Sequence, residues 1–353
     1  MTHPLRIGLW ALVHGNRAAL HDPEEPYDAS WRRNRALVLE AEALGYDCVL
    51  VAQHTMNPHR SDLGQLEAWT ASAALAAETR RIEIIAAIKP MLYHPVVLAK
   101  MALQIEEISG GRFAINLVNA WNRKEIEDAG LVFREHDERY AYGAEWLAVV
   151  ERLMRGEAVQ HEGRYFQVRD YALSPASATR PRPRIYVGGE SPPARDLVAA
   201  QADVWFINGQ PLENVEALIA DVRARPRPGE PVRFGLSVFV IARETEEEAQ
   251  AEYRRLLDLA GQDTDIKAYV KANTDPAVAM RKTQAKYESV GTNGGTSAGT
   301  VGSYAQVAER LARFHAAGID TILTQFQPFE REMRRFAEHV APRLAHLRAG
   351  GEA

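Results

Sequence analysis

Apolar and polar positions along the chain fall into short runs that alternate between two periods. Residues 6–12 read as a buried strand. Residues 31–44 carry apolar side chains at helical spacing and stop at Gly45, a residue suited to the backbone turn that ends a helix. The couplet then recurs: strand 48–52 with helix 65–79, strand 82–88 with helix 95–108, strand 113–118 with helix 142–154. Residues 158–168 interrupt it. They alternate in part and contain Glu162-Gly163, which predicts a β-hairpin outside the main sheet. The alternation resumes with 185–187 and 193–202, 204–207 and 215–223, 232–242 and 244–259. Segments 304–317, 321–326 and 330–347 complete the chain.

About eight strands, most followed by a helix, predict parallel pairing through right-handed crossovers. A (β/α)8 TIM barrel with insertions is the economical α/β arrangement, and a doubly wound open sheet is the alternative. The chain has no Gly-x-Gly-x-x-Gly element after an early strand, which counts against a dinucleotide-binding sheet. A length of 353 residues suits a single barrel domain over 1–353. Segment 262–300 departs from the pattern: it is polar, lacks clean periodicity and ends in the glycine-rich stretch 291–299. It reads either as a solvated linker or as a mobile lid over the barrel, with the glycines as hinges.

Composition narrows the function classes. Hydrophobic residues make up 46%, enough for a large core, and the formal charge of −5 gives no basic surplus for nucleic acid or an anionic membrane. No apolar run approaches the ~20 residues of a membrane span, and no signal peptide is evident, so a cytoplasmic location is expected. Cys48 is the single cysteine, which excludes an internal disulfide and a multi-cysteine metal site. His54 and His59 are the closest histidines, with Pro58 between them and no further ligands at suitable spacing. No metal is expected.

In a parallel barrel, ligands bind at the C-terminal ends of the strands. Those ends carry His14, Gln53, His54, Lys89, the polar stretch Asn116 to Trp121, Gly188 to Ser191, Asn208 and Phe326. Amide, carboxylate, phenol and guanidinium groups near Asn116, Glu125, Arg139 and Tyr140 suit a polar, partly anionic cofactor. In Gly188-Gly189-Glu190-Ser191 small residues expose backbone N–H groups before a helix, an arrangement that favours an anion. Ser191 reads as a helix cap, a phosphate ligand or both. Arg139 reads as a phosphate ligand or as a surface ion-pair partner of Asp137 and Glu138.

Several motifs, in order and spacing, carry a family resemblance over nearly the whole chain. They are Ser109-Gly110-Gly111-Arg112-Phe113, Glu135-His136-Asp137-Glu138-Arg139-Tyr140, Gly188-Gly189-Glu190-Ser191 and Phe239-Val240-Ile241-Ala242-Arg243-Glu244. Gly45-Tyr46-Asp47 and Ile105-Glu106-Glu107-Ile108 add weaker support. The chain resembles the bacterial-luciferase-like flavin monooxygenases, most closely the dimethyl sulfone and pyrimidine ring-opening groups. The resemblance implies a luciferase-like barrel, reduced FMN supplied by a separate flavin reductase, a small-molecule substrate and a homo-oligomer. It implies flavin contacts by Gln53, His54, Asn116 and Glu125, and a phosphate end at Gly189, Ser191, Arg139 and Tyr140. It places a non-proline cis peptide at Ala86-Ala87, with Ala87 beneath the flavin, and His14, His54 and Trp121 at the reacting face. It also implies that the lid orders over the flavin.

The chain departs from the alkanesulfonate-cleaving relatives. Ser237, Phe239 and Asn293 stand where those enzymes place two arginines and a histidine, and their cysteine after the second strand is missing. A desolvated anion needs paired charge, so this departure argues against a sulfonate. Ser237, Phe239, Asn293 and Phe326 are expected to line a site for a small neutral sulfone, cleaved oxidatively at a C–S bond. Oxidative opening of an amide or pyrimidine ring is the sibling alternative. A deazaflavin-dependent dehydrogenase or a non-catalytic flavin-binding protein on the same barrel would represent other classes.

Overall fold

In the computed structural model, which describes residues 3–15, 18–279 and 286–349, eight parallel strands close into a barrel. They begin with β1 (Arg6–Trp10), β2 (Cys48–Val51), β3 (Glu83–Ile88) and β4 (Phe113–Leu117). A hairpin of β5 (Val159–Glu162) and β6 (Gln167–Tyr171) intervenes as an antiparallel excursion, as the sequence pattern predicts. The barrel continues with β7 (Arg184–Gly188), β8 (Val204–Ile207) and β9 (Arg233–Phe239). The short strands β10 (Ile241–Arg243) and β11 (Val301–Ser303) form a separate parallel pair, and β12 (Ile319–Gln325) closes the barrel against β1. Closure excludes the open-sheet alternative. The crossovers carry helices α1 (Trp31–Ala43), α2 (Ala68–Glu78), α3 (Pro95–Ser109), α4 (Arg123–Glu127), α5 (His136–Met154), α6 (Pro192–Gln201), α7 (Leu212–Arg223), α8 (Glu246–Gln262) and α9 (Thr264–Asn273).

Barrel strands are covered on the inside by packed side chains and on the outside by helices, so they read as continuous apolar runs. β2, β3, β4 and β8 are buried at every position. Cys48 lies fully inside this core, where burial pushes its thiol pKa up to about 12, so it remains a small hydrophobe. The N-terminal end of the barrel is closed by a charged cluster. Glu83 accepts from Arg6 at 2.7 Å and Arg184 at 2.8 Å, and from the Tyr186 hydroxyl at 3.2 Å. Its oxygens are taken up by neighbours, so this cluster holds the floor and leaves chemistry to the opposite end.

Four sequence expectations change. The run 232–242 is two strands: Val240 donates its N–H to Gln325 O, but Ile241 donates to Thr300 O and turns β10 out of the barrel. The helix expected from 142 starts at His136, which places Arg139 and Tyr140 on α5 rather than in a loop. Segment 262–300 is not structureless, since it contains α9 and a 3-10 turn at Gly295–Ala298; its residues 280–285 lie outside the described residues. The Ala86-Ala87 bond is trans: among the described residues the cis bonds are Ser174-Pro175 and Gln327-Pro328. Here β3 pairs with β4 in unbroken register through Ala86↔Ile115 and Ala87↔Asn116, which keeps the backbone regular.

Candidate active site

The C-terminal ends of the strands bring His14, Gln53, His54, Ala87, Lys89, Asn116, Asn119, Trp121 and Glu125 together. Imidazoles and indole form a series. His14 stacks on His59 with centroids 5.3 Å apart and lies 6.0 Å from His54, whose ring meets Trp121 edge-on at 5.7 Å. Asn116, one residue before the end of β4, pairs with Ala87, one residue before the end of β3, so both lie near the C-terminal end of the barrel.

The centre of this face is a buried ionic triangle. Lys89 follows β3 and is 2% exposed; Glu125, on the five-residue α4, is 1% exposed. Lys89 Nζ lies 2.6 Å from Glu125 Oε2, 3.0 Å from His54 Nδ1 and 2.7 Å from the Gln53 carbonyl oxygen. His54 Nδ1 is in turn 2.9 Å from Glu125 Oε2, while Glu125 Oε1 accepts from the Thr55 N–H at 2.8 Å. Burial alone would raise the Glu125 pKa. The Lys89 charge, then His54, outweigh it and bring it down to about 2. Burial lowers the Lys89 pKa, with Glu125 opposing.

Around this triangle lie polar atoms that the protein does not satisfy. Both amide atoms of Gln53, which is 3% exposed, lack a hydrogen-bond partner, as do Asn116 Oδ1, Asn119 Nδ2 and Asn122 Nδ2. Buried amides without partners cost about 1–3 kcal/mol each. A planar cofactor with donors and acceptors along its edge would satisfy them, and the isoalloxazine of FMN has that chemistry.

At the expected phosphate end, Ser191 is the N-cap residue of α6 but makes no side-chain cap bond. Its hydroxyl lies against the Tyr140 phenol, whose pKa burial raises and Ser191 partly restores. Gly189 has φ 112°, and a Cβ there would stand 2.6 Å from the Tyr140 oxygen, so glycine is required. Glu190 bridges two loops by accepting from the Asn208 N–H at 2.8 Å and its side-chain amide at 3.0 Å. Arg139 is buried and fully engaged. It donates to Asn119 O at 3.2 Å and Arg134 O at 2.6 Å, and pairs with Asp275. The surface-pair expectation with Asp137 or Glu138 is therefore replaced by a buried pair with a residue far along the chain. A phosphate would reach this guanidinium by displacing Asp275.

The remaining expected residues separate into two sets. Ser237 is buried at the top of β9, and its hydroxyl accepts from Gln325 Nε2 at 3.1 Å. Gln325 Oε1 accepts from the Thr292 N–H at 3.2 Å and hydroxyl at 3.0 Å, tying segment 291–299 to the barrel. Asn293, with φ 51°, accepts at its carbonyl from the Gly209 N–H at 2.8 Å. Phe239 and Phe326 do not line the pocket. Phe239 packs in a satellite cluster with Ile241, Ala249, Leu256 and Val290, and Phe326 packs against Phe329 and Phe336. A small cavity of about 20 Å³, room for about one water, lies at this end and is lined, among the described residues, by Trp10, Ala11, Leu12, His14, Gly15, Thr292, Gln325 and Phe329, so a substrate would enter by displacing the segment that carries Thr292. Gln325, Thr292 and Trp10 were not expected from sequence. For Gln325 the usable signal is a polar side chain at the end of an apolar strand. Among the described residues no group of three His, Cys, Asp or Glu is arranged to hold a metal.

Comparisons with known proteins agree with this geometry. A family model described as luciferase-like monooxygenase matches residues 6–321. The chain is 31% identical over 354 residues to a protein of Pseudomonas putida named FMNH2-dependent dimethylsulfone monooxygenase, covering 98% of this chain and 97% of that one. Among solved structures, a riboflavin lyase with modified FMN and riboflavin superposes with a TM-score of 0.81 at 20% identity, covering 98% and 92% of the two chains. DmoA from Hyphomicrobium sulfonivorans does so with a TM-score of 0.78 at 20% identity, covering 97% and 88%.

Proposed function

Because the chain belongs to the luciferase-like monooxygenase family, we propose that it takes reduced FMN from a separate reductase and, with oxygen, cleaves a C–S bond of a small neutral sulfone. Bound reduced flavin supplies the electrons and the oxygen activation. The chain's own residues bind it, orient it and keep water out. Gln53, His54 and Asn116 would hold the isoalloxazine edge, and Tyr140, Gly189 and Ser191 the phosphate. The observation that carries the substrate class is the pocket lining, which among the described residues offers an indole, an imidazole, a hydroxyl and an amide and no arginine or lysine. Lys89, a buried cation at the same end of the barrel, is occupied by Glu125. The test is a panel of sulfones, amides and pyrimidines with a generic flavin reductase. Substrate-dependent oxygen consumption with sulfinate and carbonyl products is expected from a sulfone. Hydride transfer without oxygen uptake would instead indicate the dehydrogenase class.

Two results follow for cofactor and lid. Reduced FMN should bind at least tenfold more tightly than FAD in an anaerobic titration, because Tyr140, Gly189 and Ser191 would hold a terminal phosphate. Equal affinities would remove the phosphate end from this position. Segment 291–299 should act as the cover. Its glycines serve close packing rather than hinging: at Gly291 a Cβ would meet the Phe239 ring at 2.6 Å, and at Gly294 it would meet Gly209 O at 1.9 Å. Gly294→Ala should therefore lift the segment. Reduced flavin would still bind, but hydrogen peroxide would replace sulfinate as the main product. Unchanged coupling would make the segment a linker.

A further inference from the structure

The loop that leaves β4 makes a turn that L-residues adopt rarely. Ala120 has φ 36°, in the left-handed region, and its N–H donates to Val118 O at 2.8 Å. A backbone in this region persists where its surroundings hold it. Here the carbonyls on both sides of Ala120 are held from outside the loop. Asn119 O accepts from Arg139 Nε at 3.2 Å, and Trp121 O accepts from the Asp275 N–H at 3.0 Å. Those two donor residues are themselves an ion pair, Arg139 Nη2 with Asp275 Oδ2. Arg139 comes from α5 and Asp275 from the segment after α9, so the contacts close a ring around the turn. The Asn119 side chain lies against α5 at Gly143, where a Cβ would stand 2.2 Å from its Oδ1.

Both members of the pair are anchored elsewhere as well. Each of the three Arg139 nitrogens has a protein acceptor, the third being Arg134 O at 2.6 Å from Nη1. The guanidinium also lies over the Phe133 ring, 4.2 Å from its centroid. Asp275 Oδ1 accepts from the Ala277 N–H at 2.8 Å, and the neighbouring Thr274 forms a β-bridge with Asn122. A phosphate that took Asp275's place on Arg139 would have to break this ring and leave a buried carboxylate without its cation. We propose that Arg139 and Asp275 are positioning residues: their pair clasps the Ala120 turn and sets Trp121 edge-on to His54, and Arg139 leaves the flavin phosphate to other groups. The indole and the imidazole lie 5.7 Å apart at the expected reacting face. The inference rests on the reading above only in placing the flavin at this end of the barrel. The clasp itself follows from the contacts around Ala120.

Fluorine NMR of flavin-free enzyme labelled with fluorotryptophan tests the clasp, with the Trp121 signal identified by its loss in Trp121→Phe. Asp275→Ala and Arg139→Gln should each move or broaden that signal, while the other indole signals keep their positions. An unmoved Trp121 signal overturns the clasp, and equal movement of all the indoles reduces the pair to a general structural role and overturns it too. The affinity of reduced FMN relative to reduced riboflavin then isolates the phosphate. In Asp275→Ala this ratio should change by less than about twofold. If Arg139 were the phosphate ligand, removing its competitor would raise the ratio about tenfold, and Arg139→Gln would lower it by as much. Either change overturns the exclusion of Arg139 from the phosphate. Should Arg139→Gln fail to fold, Asp275→Ala carries both readouts. The fluorine readout uses neither flavin nor substrate, so failure of sulfone cleavage leaves it intact and is read separately.

Discussion

With reduced FMN and oxygen supplied, a small neutral sulfone should be turned over at least a thousandfold more efficiently, by kcat/KM, than an alkanesulfonate of matched size. Desolvating a sulfonate beside Trp10, His14, Thr292 and Gln325 removes its hydration and, among the described residues, returns no arginine or lysine. The net loss for an unpaired buried anion is on the order of 4 kcal/mol. That corresponds to about three decades in rate constant. A sulfone has the same tetrahedral sulfur and oxygens that accept ordinary hydrogen bonds, so the indole N–H and the hydroxyl suffice. The indole nitrogen of Trp10 is buried without a partner, which leaves that donor to the ligand. Product formation from both compounds at equal concentration is the measurement. Comparable sulfonate cleavage would sink the assignment.

The sulfone prediction survives a change in its supporting residues, and that change shows where sequence stops being informative. The barrel was legible because parallel strands buried on both faces read as apolar runs, and β2, β3, β4 and β8 are such runs. The positions of His54, Asn116, Glu125 and Ser191 on one end were legible from strand ends and motif spacing. The inward or outward direction of an aromatic at a strand end was not. Phe239 and Phe326 are equally apolar whether they line a pocket or pack among apolar neighbours; Phe239 packs with Ile241, Ala249, Leu256 and Val290, and Phe326 against Phe329. Gln325, one residue before Phe326, is the one that turns inward to Ser237. The exit of β10 at Val240 was hidden for a similar reason, because the apolar run continues through it. The partner of Arg139 was beyond reach on other grounds. Sequence suggests the adjacent Asp137 and Glu138, whereas Asp275 arrives from a segment 136 residues away.

Glu125→Ala should destabilise the protein by about 3–5 kcal/mol at pH 7 and extend to lower pH the range over which its stability rises with pH. The first part follows from burial: removing the carboxylate leaves the Lys89 ammonium uncompensated at the top of the barrel. In the wild type the Glu125 pKa lies at about 2, below its unfolded value near 4.3. Its contribution, about 3 kcal/mol, is therefore present above pH ~4.3 and fades as pH falls toward 2. From pH 6 to 9 that group adds no slope. In the variant, burial acts on Lys89 without its opposing charge, so its already lowered pKa falls further. The unfolded chain then binds one more proton than the folded one between that value and about 10.4. Stability must rise with pH there, by up to about 1.4 kcal/mol per unit. Urea unfolding at several pH values measures the slope, and the difference from wild type cancels the groups common to both. Glu125→Leu combined with Lys89→Met should recover most of the lost stability without recovering activity, because an apolar pair of similar volume carries no desolvated charge. A variant with the same pH dependence as wild type would mean that water reaches Lys89, and the ion pair would then not be a buried one.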